Sequence, residues 1–105
     1  MTRTPVTYAF DAPLWLWEAR QGEGWTFVSL PEEVADEVLE LAAPVARGFG
    51  SVRVEVTVGA TTWHTSLFPS KDAGTYVLPV KKAVRRAEGL EVGRSASIEL
   101  RLRDV

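Results

Sequence analysis

Between Ser51 and Val58 valine takes every second position, with Val52, Val54, Val56 and Val58 on one side and Arg53, Glu55 and Thr57 on the other. A period of two puts one face in a core and the other in water, which predicts a half-buried strand. The same period returns near the C-terminus, where Ala96, Ile98, Leu100 and Leu102 oppose Ser97, Glu99, Arg101 and Arg103. It returns again over Thr61 to Phe68, with Trp63 and Leu67 against Thr62, His64, Ser66 and Phe68. Gly59-Ala60 reads as a tight turn with glycine at the first central position, as a type II′ hairpin demands. Residues 6–19 alternate at first through Tyr8, Phe10 and Ala12, then become dense at Leu14-Trp-Leu-Trp17. Pro13 lies between the two parts and donates no ladder hydrogen bond, so it marks a bend or an edge in one long strand. Arg20 to Gly24 reads as a hairpin loop, Trp25 to Leu30 as the returning strand, Pro69 to Gly74 as a second loop and Thr75 to Leu78 as a fifth strand.

Two segments change period. After Leu30-Pro31, the positions Val34, Val38, Leu41 and Val45 form an apolar stripe, while Glu32, Glu33, Asp36, Glu37 and Glu40 take the other side of a helix. Ser29 stands three residues before Glu32, the spacing of a capping box. Pro44 and Gly48 are expected to end this helix. A second, shorter helix is expected from Pro79, with Val80, Ala83, Val84 and Ala87 inward, Lys81, Lys82, Arg85 and Arg86 outward, and Gly89 as its closing residue.

The order aromatic, valine, Leu-Pro, helix occurs twice, at Thr26 to Val38 and at Thr75 to Gly93, so the chain reads as two related halves. Six short strands, hairpin connections and two helices predict a mainly β fold: a six-stranded double-split β-barrel built from two pseudo-repeated halves, whose closure removes exposed edges.

Composition narrows the chemistry. With 105 residues, 46% apolar and 25% charged, the chain has the size of one domain, 1–105. It carries no cysteine, which excludes disulfides, thiolate metal sites and cysteine nucleophiles. Met1-Thr-Arg-Thr-Pro-Val has no apolar run of a secretory signal, and no stretch approaches the roughly 18 apolar residues of a spanning helix, so a cytoplasmic protein without a membrane partner is expected. The net charge is −2 but is divided by sign: residues 1–52 hold 3 basic and 8 acidic side chains, and residues 53–105 hold 9 basic and 6 acidic. No glycine-rich phosphate loop occurs, one histidine with scattered carboxylates offers no metal-ligand spacing, and neither cofactor nor metal is expected.

The motifs Leu14-Trp-Leu-Trp-Glu18, Trp25-Thr-Phe-Val-Ser-Leu-Pro31, Thr65-Ser-Leu-Phe-Pro69 and Thr75-Tyr-Val-Leu-Pro-Val-Lys-Lys-Ala-Val-Arg85, in that order over nearly the whole chain, resemble the bacterial domain of unknown function nineteen-oh-five. The resemblance implies a small split β-barrel, distantly similar to swapped-hairpin antitoxin and transition-state-regulator domains. Leu78-Pro79, Ala83-Val-Arg85 and Leu90-x-x-Gly93 also resemble the signature of those DNA-binding hairpins, with Arg94 where an aspartate is usual. Those regulators assemble the barrel from two chains. Here both halves lie in one, so a monomer is expected.

The candidate functional residues follow from charge and aromatic content. Lys81 with Arg85, and Lys82 with Arg86, are like-charged i, i+4 pairs, each unfavourable by a few tenths of a kcal/mol. An anionic ligand or an acidic protein would offset that cost, with Ser66 and Lys71 from the neighbouring loop completing the site; pairing with the acidic helix, or simple solvation, are the structural explanations. Trp15 and Trp17 share one face opposite Leu14 and Leu16, and form either core or an aromatic platform; core is the expectation for the tryptophans as a group. The first expectation for function is therefore a non-enzymatic binding module using the basic face of helix two. A DNA-binding regulator stands second, because a symmetric DNA surface would need both halves basic, and the first half is acidic. A small hydrolase or isomerase using His64, Ser66 and Asp72 stands third, since no acid in sequence orients His64.

Overall fold

A computed structural model describes residues 6–20, 23–45 and 50–103. Gln21, Gly22 and Gly48, on which the first hairpin loop and the end of helix one were placed, lie outside the described residues, as do the first five residues and the side chain of Val45. The order of elements is β1 (Thr7–Arg20), β2 (Glu23–Ser29), α1 (Glu32–Ala42), a 3-10 turn (Ala43–Val45), β3 (Val52–Val58), β4 (Thr61–Ser70), β5 (Thr75–Pro79), α2 (Lys82–Glu88) and β6 (Ser95–Leu102). The six strands close a barrel in the order β1-β2-β5-β4-β3-β6, every neighbouring pair antiparallel. The expected mainly β, six-stranded barrel with two helices is the fold.

Pro13 sits where β1 changes partner. Thr7 to Pro13 pair with β6, and Leu14 to Arg20 pair with β2. A residue without an N–H fits that switch, because the ladder is handed over there. The turn before β6 fastens the same point: Gly93 N–H donates to the Leu14 carbonyl at 2.7 Å and Leu14 N–H to the Arg94 carbonyl at 3.1 Å.

The alternating strands bury the side the pattern predicts. Val52, Val54, Val56, Val58, Ala96, Ile98, Leu100 and Leu102 fill the barrel with Leu14, Val28, Trp63, Leu67 and Leu78. Leu30, Ala35, Val38, Ala42, Val80 and Val84 extend this core toward the helices.

The repeat is real, but its register differs from the Leu-Pro alignment. Leu30 N–H donates to the Tyr76 carbonyl at 3.0 Å, and Val80 N–H donates to the Thr26 carbonyl at 2.9 Å. Those bonds exchange under a shift of 50 residues (26 to 76, 30 to 80), and the helix starts Glu32 and Lys82 obey the same shift. Val28 and Leu78, paired and fully buried, lie at the centre of this local two-fold relation. The halves are thus β1-β2-α1-β3 and β4-β5-α2-β6. Pro31 corresponds to Lys81, and Pro79 is still strand.

Several local expectations are corrected. Ser29 belongs to β2 and does not cap α1; the residue before the helix is Pro31, with no side-chain cap. Proline supplies a fixed φ of −57° there, and Glu32 and Glu33 complement the positive helix end instead. The buried stripe of α1 is Ala35, Val38 and Ala42 with Val34 partly covered, whereas Leu41 is 46% exposed. Ala35, Val38 and Ala42 follow the same three- and four-residue spacing, so the docked helix presents a face rotated from the expected one, with its small alanines against the barrel. Helix α2 starts at Lys82, not Pro79, and Ala83 and Ala87 face solvent while Val84 is buried. Strand β4 continues through Pro69 to Ser70, two residues into the expected loop. Gly89 closes α2 in the left-handed conformation, φ +63°, as expected.

Candidate functional site

The outer face of β1 and β2 is aromatic. Trp15 stands opposite Phe27 and Trp17 opposite Trp25. The Trp15 and Phe27 ring centroids are 5.2 Å apart, and the Trp25 and Phe27 rings stack at 6.3 Å. The alternation that sends Leu14, Thr26 and Val28 inward sends these four rings outward. The expectation of core packing holds only for Trp63; Trp17 is 45% exposed, Trp25 58% exposed and Trp15 half-buried. The signal was the shared parity of Trp15 with Trp17, opposite Leu14, and of Trp25 with Phe27, opposite Val28; the aromatic platform named for Trp15 and Trp17 is the arrangement found.

Two concavities flank this aromatic row. The first is an open groove of about 580 Å³, lined by Trp15, Trp17, Phe27, Ser29, Ser70, Asp72, Ala73 and Val77. Here the Trp15 indole N–H donates to Ser29 Oγ at 2.9 Å, which is the work of the serine expected to cap α1. The second, of about 240 Å³, lies between β2, β4 and the entry to α2. Trp25, Trp63, His64, Lys81 and Arg85 line it. Arg85 Nε–H donates to the Val80 carbonyl at 3.2 Å, which holds the guanidinium near the pocket.

Of the six residues grouped by sequence as an anion site, the structure brings Lys81 and Arg85 together in this second pocket. Lys82 and Arg86 are exposed and line no described cavity. Lys71 lies in a third groove with Asp36, Leu39 and Tyr76, beside α1. Ser66 sits on β4 opposite Arg53. The pocket adds Trp25, Trp63 and His64, which the sequence grouping left out because they come from β2 and β4, distant in the chain from α2.

Pairing of the basic helix with the acidic helix does not occur among the described residues. The ion pairs there join Glu55 to His64 and Arg101, and Glu91 to Arg94. Lys81, Lys82 and Arg86 have no such partner among the described residues. Helix α2 has seven residues, so the positive end of its dipole contributes little and the side chains carry the charge.

His64 has an orienting acid after all: its Nε2 lies 3.2 Å from Glu55 Oε1, directly across the β3–β4 ladder. Glu55 also receives Arg101 Nη2 at 2.9 Å. Asp72 lines the Trp15 groove, and His64 lines the Lys81 pocket. Among the described residues, no group of three or more histidines and carboxylates could hold a metal ion, and no helix is long and apolar enough to cross a membrane.

A closed six-stranded antiparallel barrel with two helices set at equivalent points of a repeated half defines the class of protein. The sequence profile of a domain of unknown function, DUF1905, matches residues 10–100. The chain belongs to that family. Comparison with curated proteins gives no match.

Proposed function

We propose that this barrel is a non-enzymatic binding module for an anionic ligand, with its site in the pocket of Trp25, Trp63, His64, Lys81 and Arg85. The observation that carries the reading is the convergence of two cationic side chains with an exposed indole at one concavity. Lys81 and Arg85 supply charge, and the face of Trp25 supplies a surface for a flat apolar group. A ligand joining a phosphate or carboxylate to a ring would meet both. Arg85 is preorganised by its bond to Val80, which lowers the entropy lost when an anion is held.

The test is titration of the chain with inorganic phosphate and with a nucleoside monophosphate, read by tryptophan emission and by amide chemical shifts. Binding should appear for the monophosphate, and Lys81→Glu with Arg85→Glu should abolish it while the melting curve stays near wild type. Unchanged binding in that double variant refutes the site. A duplex-DNA surface is not favoured: the local two-fold relation sets α1 in the place equivalent to α2, and α1 is acidic over its outer face. Absence of a salt-dependent gel shift with duplex DNA is the matching expectation.

A further inference from the structure

We infer that the Trp15–Trp17–Phe27 groove is a second, separate binding site, and that it takes a small organic cation of the quaternary or methylated ammonium class. The groove is walled by three aromatic rings, and Asp72 is the one ionisable residue among those lining it. Two of the hydrogen-bond donors on its walls are already committed. The Trp15 indole N–H is held by Ser29 Oγ, and the Ala73 backbone N–H points to Ser70 Oγ at 3.2 Å.

The lining also offers three aromatic rings and a carboxylate with no hydrogen-bond or ion-pair partner among the described residues. Aromatic faces attract cations through the ring quadrupole, most strongly for indole. A cation that carries methyl groups instead of N–H donors suits this lining, because it demands few acceptors and presents apolar surface to the rings. Lys71, the nearest basic residue in sequence, lines the neighbouring groove and not this one. An anion would meet the Asp72 carboxylate with no basic side chain in the lining to offset it, and a neutral apolar molecule would leave that carboxylate without a counter-charge.

The walls are built for this. Trp15 and Phe27 are a cross-strand pair in the barrel, and the Ser29 bond locks the Trp15 ring. Val77, buried at the floor, closes the bottom of the groove from β5. Asp72 comes from the β4–β5 hairpin, where Gly74 N–H donates to the Ser70 carbonyl at 2.9 Å and fixes the turn.

The experiment compares choline with its uncharged isostere 3,3-dimethylbutan-1-ol on the intact chain, at constant ionic strength, read by tryptophan emission and indole N–H shifts. Choline should bind, the isostere should bind about fivefold or more weakly, and sodium chloride should produce no equivalent change. Asp72→Asn, an exposed turn substitution, should weaken choline by a similar factor, and Trp17→Ala should weaken it further with its melting curve retained. Lys81→Glu should leave choline binding unchanged, which separates this site from the anion pocket. Equal affinity for the isostere, no effect of Asp72→Asn, or no response to choline at about 100 mM, weaker than the weakest specific affinities, each overturns the inference.

Discussion

The docking of α2, which carries Arg85 and follows directly on Lys81, turns on one small contact that can be tested quantitatively. Gly59 opens the two-residue turn between β3 and β4 with φ +58°, and the Glu88 carboxylate at the end of α2 lies where a Cβ on that glycine would stand. The same carboxylate accepts a 2.6 Å hydrogen bond from the Thr61 hydroxyl. Replacing Gly59 by alanine imposes a left-handed backbone on a residue with a side chain, at about 1 kcal/mol. It also forces Glu88 to swing away. That motion is cheap for a flexible chain but breaks a charge-assisted hydrogen bond, taken at the low end of its range, about 1.5 kcal/mol, because the pair is only partly buried. Gly59→Ala should therefore cost about 2.5 kcal/mol and lower the melting temperature by about 10–20 °C.

Glu88→Ala alone should cost about 1.5 kcal/mol, the lost bond without backbone strain. In that background Gly59→Ala should add only about 1 kcal/mol, since nothing remains to be displaced. The cycle then shows a coupling near 1.5 kcal/mol. Urea unfolding followed by tryptophan emission measures all four proteins, with the midpoint moving at constant slope. A cost for Gly59→Ala below about 0.5 kcal/mol, or additive effects in the double variant, would refute the contact and the docking of α2 derived from it.

Two further outcomes are expected. Leu78→Ala, fully buried on a strand held between β2 and β4, should cost about 3 kcal/mol in the same urea assay, and Phe68→Ala, 44% exposed on the outer face, under about 1 kcal/mol; equal costs would contradict the closed barrel. Burial raises the Tyr76 phenol above its ordinary value of 10.0, and burial followed by the Glu37 charge raises Tyr8, so the folded state favours both neutral forms. That stabilisation is complete below the unfolded value and is lost as pH rises through the higher folded value. Melting temperatures should accordingly fall above about pH 10, and Tyr76→Phe should reduce the fall; an identical pH profile for the variant would show that the phenol is not responsible.

The strand pattern was legible in the chain because a side-chain period of two is local. Val52 to Val58 and Ala96 to Leu102 announce their buried faces without reference to any neighbour. Two helices, the repeated halves and the barrel followed from the spacing of apolar positions and turn residues. The exact starts of the helices did not. Leu-Pro occurs at 30–31 and 78–79, yet the backbone bonds of β2 with β5 impose a shift of 50, so one Leu-Pro precedes a helix and the other lies in a strand.

Sequence by itself determined the buried faces of β3 and β6, the sign of charge on each helix and the abundance of aromatic rings in β1 and β2. Tertiary structure decided which of those groups meet. Barrel closure sets β2 beside β5, and so carries Trp25 to Lys81 and Arg85; the docking of α2 against β4 adds His64 and Trp63. It also turned Ser29 from a helix cap into the acceptor for Trp15, and split Lys71 and Asp72, adjacent in the chain, between two grooves. Alternation tells on which side of its own strand a residue lies, but only the order of strands around the barrel tells what it faces there.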